Sequence, residues 1–258
     1  MNAICPVTMI PVRAESNERS EMVTQLLFGE TFTVLDEKSN WLLISVHLDE
    51  YEGWIEKKQA LMVSDDFVLK MNSRAAHLLT AKTAVCIRQS DHSPFLILKG
   101  SNLPLLKRDI FYLGGEGFVI KDKSRIVPKR FIASRIAHTA LDYLNAPYLW
   151  GGRSITGIDC SGFVQVVFQA CGLQLPRDAA KQIKKGLIID FLDEVQPGDL
   201  AFFDNLQGEI IHVGIILGPG KIIHSSGQVR IDSIDHNGIF RADIQKYTHS
   251  LRIIKRLC

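Results

Sequence analysis

The sequence predicts an α+β protein in which two small all-β barrels precede a domain that runs from helices into antiparallel strands. Three observations carry this expectation. Up to about residue 128, short apolar stretches alternate with turn signals. Near residue 130 the apolar residues take up a helical period, and from Asp199 onward the signal returns to strands. The expected units are residues 1–65, 66–128 and 129–258. Modules of only about 60 residues are marginal alone, so the front two are expected to lean on the third.

The composition, 46% hydrophobic and 22% charged, is that of a soluble globular chain. Thirty basic side chains face 28 acidic ones and no basic run occurs, so nucleic acid is not an expected partner. No stretch approaches the roughly 18 apolar residues that cross a bilayer, so no membrane partner is expected. The start, Met-Asn-Ala-Ile-Cys-Pro, has neither a basic nor an apolar leader region, which makes a cytoplasmic location the simplest expectation. Export of a longer precursor is the alternative.

In the first unit the strands are read at Phe32 to Leu35, Trp41 to Val46 and Gly53 to Ile55. In the second they are read at Val85 to Ile87, Phe95 to Leu98, Asp109 to Leu113 and Gly117 to Ile120. The third unit opens with a helical pattern at Phe131, Ile132, Ile136, Ala137, Ala140, Leu141 and Leu144, closed by Asn145-Ala146-Pro147. A glycine-rich loop, Trp150 to Ile158, leaves room for a substrate. The apolar run Phe163 to Cys171 reads as a buried helix with Gly172 in the left-handed position after it. Strands follow at Leu200 to Phe203, Ile210 to Leu217, Lys221 to His224 and near Ile253.

Five cysteines stand at 5, 86, 160, 171 and 258. An odd number without Cys-x-x-Cys or Cys/His zinc spacing argues against a disulfide framework and a structural zinc. Cys5, Cys86, Cys171 and Cys258 read as small buried hydrophobes. Cys160 opens the buried helix, where unpaired N–H groups and the helix dipole favour an anion and are expected to lower a thiol from its usual value of about 8.5. Asp159 can cap that helix, Gly162 allows close backbone approach, and the N–H of Cys160 is a natural oxyanion donor.

A nucleophilic thiol benefits from a base. Of eight histidines, His47, His77, His92, His138, His236 and His249 lie in polar or turn-like contexts and are expected to be solvated or locally bonded. His212 and His224 flank Gly218-Pro219-Gly220, so a hairpin is expected to bring them nearly opposite, with Cβ atoms about 5 Å apart. One imidazole can then serve Cys160 as base while the other orients it.

These residues also match a known family. Tyr148-Leu-Trp-Gly-Gly152, Asp159-Cys-Ser-Gly-Phe-Val164, Leu175-Pro-Arg-Asp178, Pro197-Gly-Asp-Leu-Ala-Phe-Phe203, His212-Val-Gly-Ile215 and His224-Ser-Ser-Gly227 resemble, in order, the NlpC family of papain-like bacterial cell-wall cysteine peptidases. Ser20 to Glu30 and Tyr51-Glu-Gly-Trp-Ile55 resemble the first bacterial SH3-like module of a subgroup that cuts murein peptides between D-glutamate and a diamino acid. Residues 66–128 take the place of a second such module.

The resemblance implies a catalytic set of Cys160, His212 and His224 and no metal or organic cofactor. It also implies that the first module closes the substrate groove, where Glu21, Tyr51 and Asp159 hold a free N-terminal ammonium while Tyr148, Trp150 and Ser161 line the pocket. An exposed turn for Glu21 and a barrel core position for Tyr51 are the simpler alternatives. Ala179 stands where the family pattern has a serine, so a hydroxyl donor to substrate is missing. Arg177 and Asp178 fit a helix start as well as a site.

The implied partner is a murein-derived peptide, L-Ala-γ-D-Glu-diamino acid, cleaved in cell-wall recycling. Two other functions fit the scaffold: a thiol-dependent amidase or acyltransferase, and a non-catalytic wall-binding SH3-like protein.

Overall fold

A computed structural model describes residues 1–72, 77–120, 126–128 and 130–257; Cys258 lies outside the described residues. The front of the chain folds as β1 (Asn2–Ile4), β2 (Met9–Arg13), β3 (Met22–Leu27), β4 (Thr31–Lys38), β5 (Trp41–Val46), β6 (Glu52–Glu56) and β7 (Leu61–Val63). These strands form one antiparallel sheet in the order β3-β2-β6-β5-β4-β1-β7. Alternate residues of β5, namely Leu42, Ile44 and Val46, are buried with Ile10, Val12, Leu26, Phe32 and Ile55, the period-2 pattern of a half-buried strand.

A short helix, α1 (Asp65–Asn72), leads to β8 (His77–Leu79), β9 (Thr83–Arg88), β10 (Pro94–Leu98), β11 (Asn102–Leu103), β12 (Ile110–Leu113), β13 (Glu116–Ile120) and β14 (Ile126–Pro128). They form two small sheets, β10-β9-β13-β12 and β11-β8-β14. This part does not close its core alone. Phe28, from the turn after β3, sits among Phe95, Phe111 and Phe118 with ring centroids 5.2, 5.6 and 6.0 Å away.

The remainder begins with α2 (Ile136–Leu141), the hairpin β15 (Arg153–Ser154) and β16 (Gly157–Ile158), α3 (Cys160–Ala170), α4 (Ala179–Gln182) and β17 (Leu187–Ile189). The helix expected from residue 130 is shorter than its pattern. The Ile132 N–H is bonded to the Cys171 carbonyl at 2.9 Å, and Gly172 packs so closely on Arg130 that a Cβ would lie 2.3 Å from its carbonyl carbon. Residues 130–132 are thereby held against the end of α3, and only a single 3-10 turn, Ala133–Arg135, precedes α2.

Every residue of α3 is buried. Its ends are built as expected. Asp159 accepts from the Gly162 N–H at 2.7 Å, an N-cap worth about 1 kcal/mol. Gly172, at φ +90°, carries the Schellman bonds Gly172 N–H to Gln169 O and Leu173 N–H to Phe168 O, both 2.9 Å.

The last strands are β18 (Leu200–Asp204), β19 (Ile210–Gly218), β20 (Lys221–Ser226), β21 (Gln228–Asp235), β22 (Gly238–Arg241) and β23 (Lys246–Arg256). They run in the order β23-β18-β19-β20-β21-β22, with β17 outside β23. β23 is long enough to pair with β22 through its first half and β18 through its second, which closes the sheet on itself. β21 and β22 were not expected from the sequence, and β21 carries part of the site. Helix α3 packs on β19 and β20 and so brings Cys160 to their outer face.

Candidate active site

Cys160 is the first residue of α3, so its N–H has no carbonyl partner within the helix. It is 9% exposed, at the base of a cleft of about 410 Å³. The expected low thiol pKa is corrected by this burial. Desolvation, with the Asp159 charge beside it, pushes Cys160 up to about 11, while backbone bonds from Val213 and Ser161 and the Arg177 charge act the other way. At neutral pH the resting group is a thiol.

His212 and His224 meet, though not as directly opposed residues. In the register of β19 with β20, His224 faces Gly214, because a bulge between Ile216 and Gly218 shifts the pairing. His212 reaches His224 diagonally across Gly214. A Cβ there would stand 2.9 Å from the His224 Cβ and 2.7 Å from Ile222 Cδ1. His212 Nε2 lies 2.8 Å from His224 Nδ1, which leaves His212 Nδ1 free of that bond. His212 is 5% exposed and His224 fully buried. Burial, followed by neighbouring His249 and His224, holds His212 well below the usual imidazole range.

Two neighbours escaped the sequence reading. Asp232, on β21, lies with Oδ2 2.9 Å from His224 Nε2 and is clamped by Arg230 at 2.6 and 2.9 Å. His249, expected to be solvated, stacks on His212 with ring centroids 4.1 Å apart and an interplanar angle of 26°. Burial first, then His224 and Arg241, lowers it to about 4 against an opposing Asp232. A sequence signal existed for Asp232: with His224 on one hairpin strand, an acid eight residues on falls on the returning strand.

Glu21, Tyr51, Trp150, Asp159 and Ser161 all line the cleft with Cys160, together with Arg177, Asp178 and Ala179. Tyr148 is not among the lining residues. It is 37% exposed, and burial beside the charges of Cys160 and Asp159 pushes its phenol to about 12. The Trp150 indole N–H donates to Glu21 at 2.5 Å. Tyr51 is likewise pushed to about 12 by burial, with Asp178, Asp49 and Glu21 adding to the rise.

Asp159 differs from an open ammonium acceptor. Arg177 donates to both its oxygens, and the N–H groups of Gly151 and Gly162 bind it at 2.8 and 2.7 Å. Its charge is already compensated, which leaves Glu21 and Asp178 as the carboxylates of the cleft. Arg177 is therefore built into the site: it is 3% exposed and also donates to Ser161 Oγ at 2.8 Å and Thr24 Oγ1 at 3.0 Å.

The glycine-rich loop serves the module contact. At Gly151, φ +76°, a Cβ would lie 2.1 Å from the Met22 carbonyl oxygen of the first module. Cys5, Cys86 and Cys171 are buried and free. Among the described residues no group of three or more His, Cys, Asp or Glu could hold a metal ion.

Comparison with known proteins agrees with this layout. Residues 145–248 match the NlpC/P60 family, and residues 12–59 match the bacterial dipeptidyl-peptidase SH3 domain. A γ-D-glutamyl-L-lysine dipeptidyl-peptidase of Bacillus cereus is 32% identical over 228 residues, covering 80% of this chain and 68% of that one. The enzyme of that name from Bacillus subtilis is 32% identical over 217 residues, covering 78% and 71%. The crystal structure of an NlpC/P60 family protein from Bacillus cereus shares the fold, with a TM-score of 0.84 at 23% identity over 100% of this chain and 99% of that one. A buried thiol at a helix start, two bonded histidines on an adjoining sheet and relatives matched over most of their length place this chain in the NlpC/P60 family, with a bacterial dipeptidyl-peptidase SH3 domain ahead of its peptidase domain.

Proposed function

We propose that the protein is a cysteine peptidase that hydrolyses the γ-D-glutamyl–diamino acid bond of murein peptides bearing a free N-terminal L-alanine. The observation that carries this is the cleft over Cys160, whose far wall is supplied by Glu21 and Tyr51 of the SH3-like module. A wall from the first module bounds the cleft that also holds Cys160. It lines the cleft with a carboxylate and a phenol, the acceptors that a peptide's desolvated ammonium requires, which supports the reading.

In this reading His212 Nδ1 takes the Cys160 proton as the sulfur attacks the γ-amide carbonyl. The Cys160 N–H stabilises the oxyanion, and His212 then protonates the departing amine. Water hydrolyses the thioester. Trp150 orients Glu21 through its indole N–H, and the Arg177–Asp159 pair holds Ser161 toward the peptide. A substrate with a free amine is one already released from intact wall, so the reaction belongs to recycling of murein peptides, with the cytoplasm as its site. Ala179 offers no hydroxyl to the substrate.

The test is incubation with L-Ala-γ-D-Glu-meso-diaminopimelate and its L-lysine counterpart, each free and N-acetylated, beside a Cys160→Ala control. Release of L-Ala-D-Glu from the free peptides alone is expected. Cleavage of the acetylated forms at equal rate would reject the amine pocket, and no cleavage of any would favour an acyl-transfer reaction on other substrates.

A further inference from the structure

We propose that Asp232 is a positioning residue that sets the proton arrangement of both histidines, with Arg230 fixing Asp232 in turn. The inference rests on the reading of His212 as the base. Two imidazoles bonded through His212 Nε2 and His224 Nδ1 share one proton in that contact. If His224 supplies it, His212 must carry its own proton on Nδ1 and has no lone pair for the Cys160 thiol. If His212 supplies it, Nδ1 is free to act as base, and the His224 proton must sit on Nε2.

The second arrangement needs a hydrogen-bond acceptor at His224 Nε2. Asp232 Oδ2, 2.9 Å away, accepts only. Arg230 donates to both Asp232 oxygens, so the carboxylate is held as an anion facing the ring. Burial raises the Asp232 carboxyl, but the bonds from His224 and Arg230 outweigh it and hold it below the usual carboxylate value. When His212 accepts the thiol proton, the cation forms beside the fully buried His224 ring, and Asp232 is the anion that compensates it. The other charged or titratable groups around this pair are Arg241, Asp243 and His249. Arg230 also reaches Asp243 at 3.2 Å, which keeps the guanidinium in place from outside.

The test uses the full chain with Asp232→Leu and Asp232→Asn. Histidine side-chain nitrogen shifts are read by NMR without substrate, and kcat and KM are read with the murein tripeptide across pH. In the wild type both His212 and His224 are expected as Nε2–H tautomers. Asp232→Leu is expected to lose the uniform tautomer and to lower kcat on the order of a hundred-fold or more with KM changed less than about three-fold. Asp232→Asn keeps an acceptor oxygen and loses the charge, so its acid limb in kcat/KM is expected to move to lower pH.

A folded Asp232→Leu enzyme with wild-type tautomers and kcat would overturn the inference. If that variant does not fold, an unmoved acid limb in Asp232→Asn overturns it instead. Wild-type protein with the expected tautomers that leaves the peptide intact rejects the proposed substrate and leaves the role of Asp232 standing.

Discussion

Cys160 is chemically unlike an exposed reactive thiol, because its burial keeps it protonated near neutrality while His212 is kept neutral by the same cause. In the proposed mechanism the productive pair is thus thiol plus imidazole. The base is lost only as pH falls through the depressed His212 value, and the thiol ionises by itself only toward about 11. The profile of kcat/KM should therefore show no inflection at the ordinary histidine value of about 6.5; a midpoint there would contradict the assignment. A second expectation concerns Gly214, whose missing side chain lets His212 reach His224 diagonally. Gly214→Ala should lower kcat on the order of ten- to a hundred-fold through misplaced rings, with circular dichroism unchanged. The cysteine and both histidines were legible in the sequence because each sits in a local pattern: a helix start, a strand and a hairpin. The raised thiol pKa was not, since desolvation is set by what packs over a residue.

Elements differ in how well their own residues announce them. Helix α3 is an apolar run closed by a cap at each end, so its limits followed from Asp159 and Gly172. The segment before α2 has a helical period yet is held non-helical by the end of α3, a contact no window of sequence reports. Between elements the decisive link is Arg153 of β15. It is 1% exposed and donates to Glu30 at 2.8 and 2.9 Å, to the Gln25 carbonyl and to Gln169. Gln169 in turn donates to Glu30 and to the Gly100 carbonyl, so one network ties both front parts of the chain to the helix that carries Cys160. Arg153→Met would leave Glu30 buried without its counter-charge and should cost about 3–5 kcal/mol, read as a lower urea midpoint. An unchanged midpoint would mean that Glu30 finds solvent when the arginine is removed.

Over the whole molecule the cleft exists only where the first module meets the peptidase part, with Glu21 and Tyr51 on one side and Cys160, Ser161 and Ala179 on the other. Glu21→Gln should raise KM for the free-amine peptide about ten-fold, toward the weak end for a charge-assisted bond because Glu21 is exposed, and leave kcat nearly unchanged. A fall in kcat alone would assign Glu21 to chemistry instead of binding. Phe28 makes the same point for the core, since it leaves the first sheet to complete the aromatic cluster of the second part. By itself the sequence determined the α+β class, the buried helix with its capping residues, the thiol at that helix start and the pair of histidines around a turn. Each of these is a local pattern of period, cap or spacing. Only the tertiary structure decided that Arg177 neutralises Asp159 and that His249 stacks on His212. Those contacts join residues brought together by closure of the sheet through β23 and by burial of one part against another, and no local pattern of the chain records that closure.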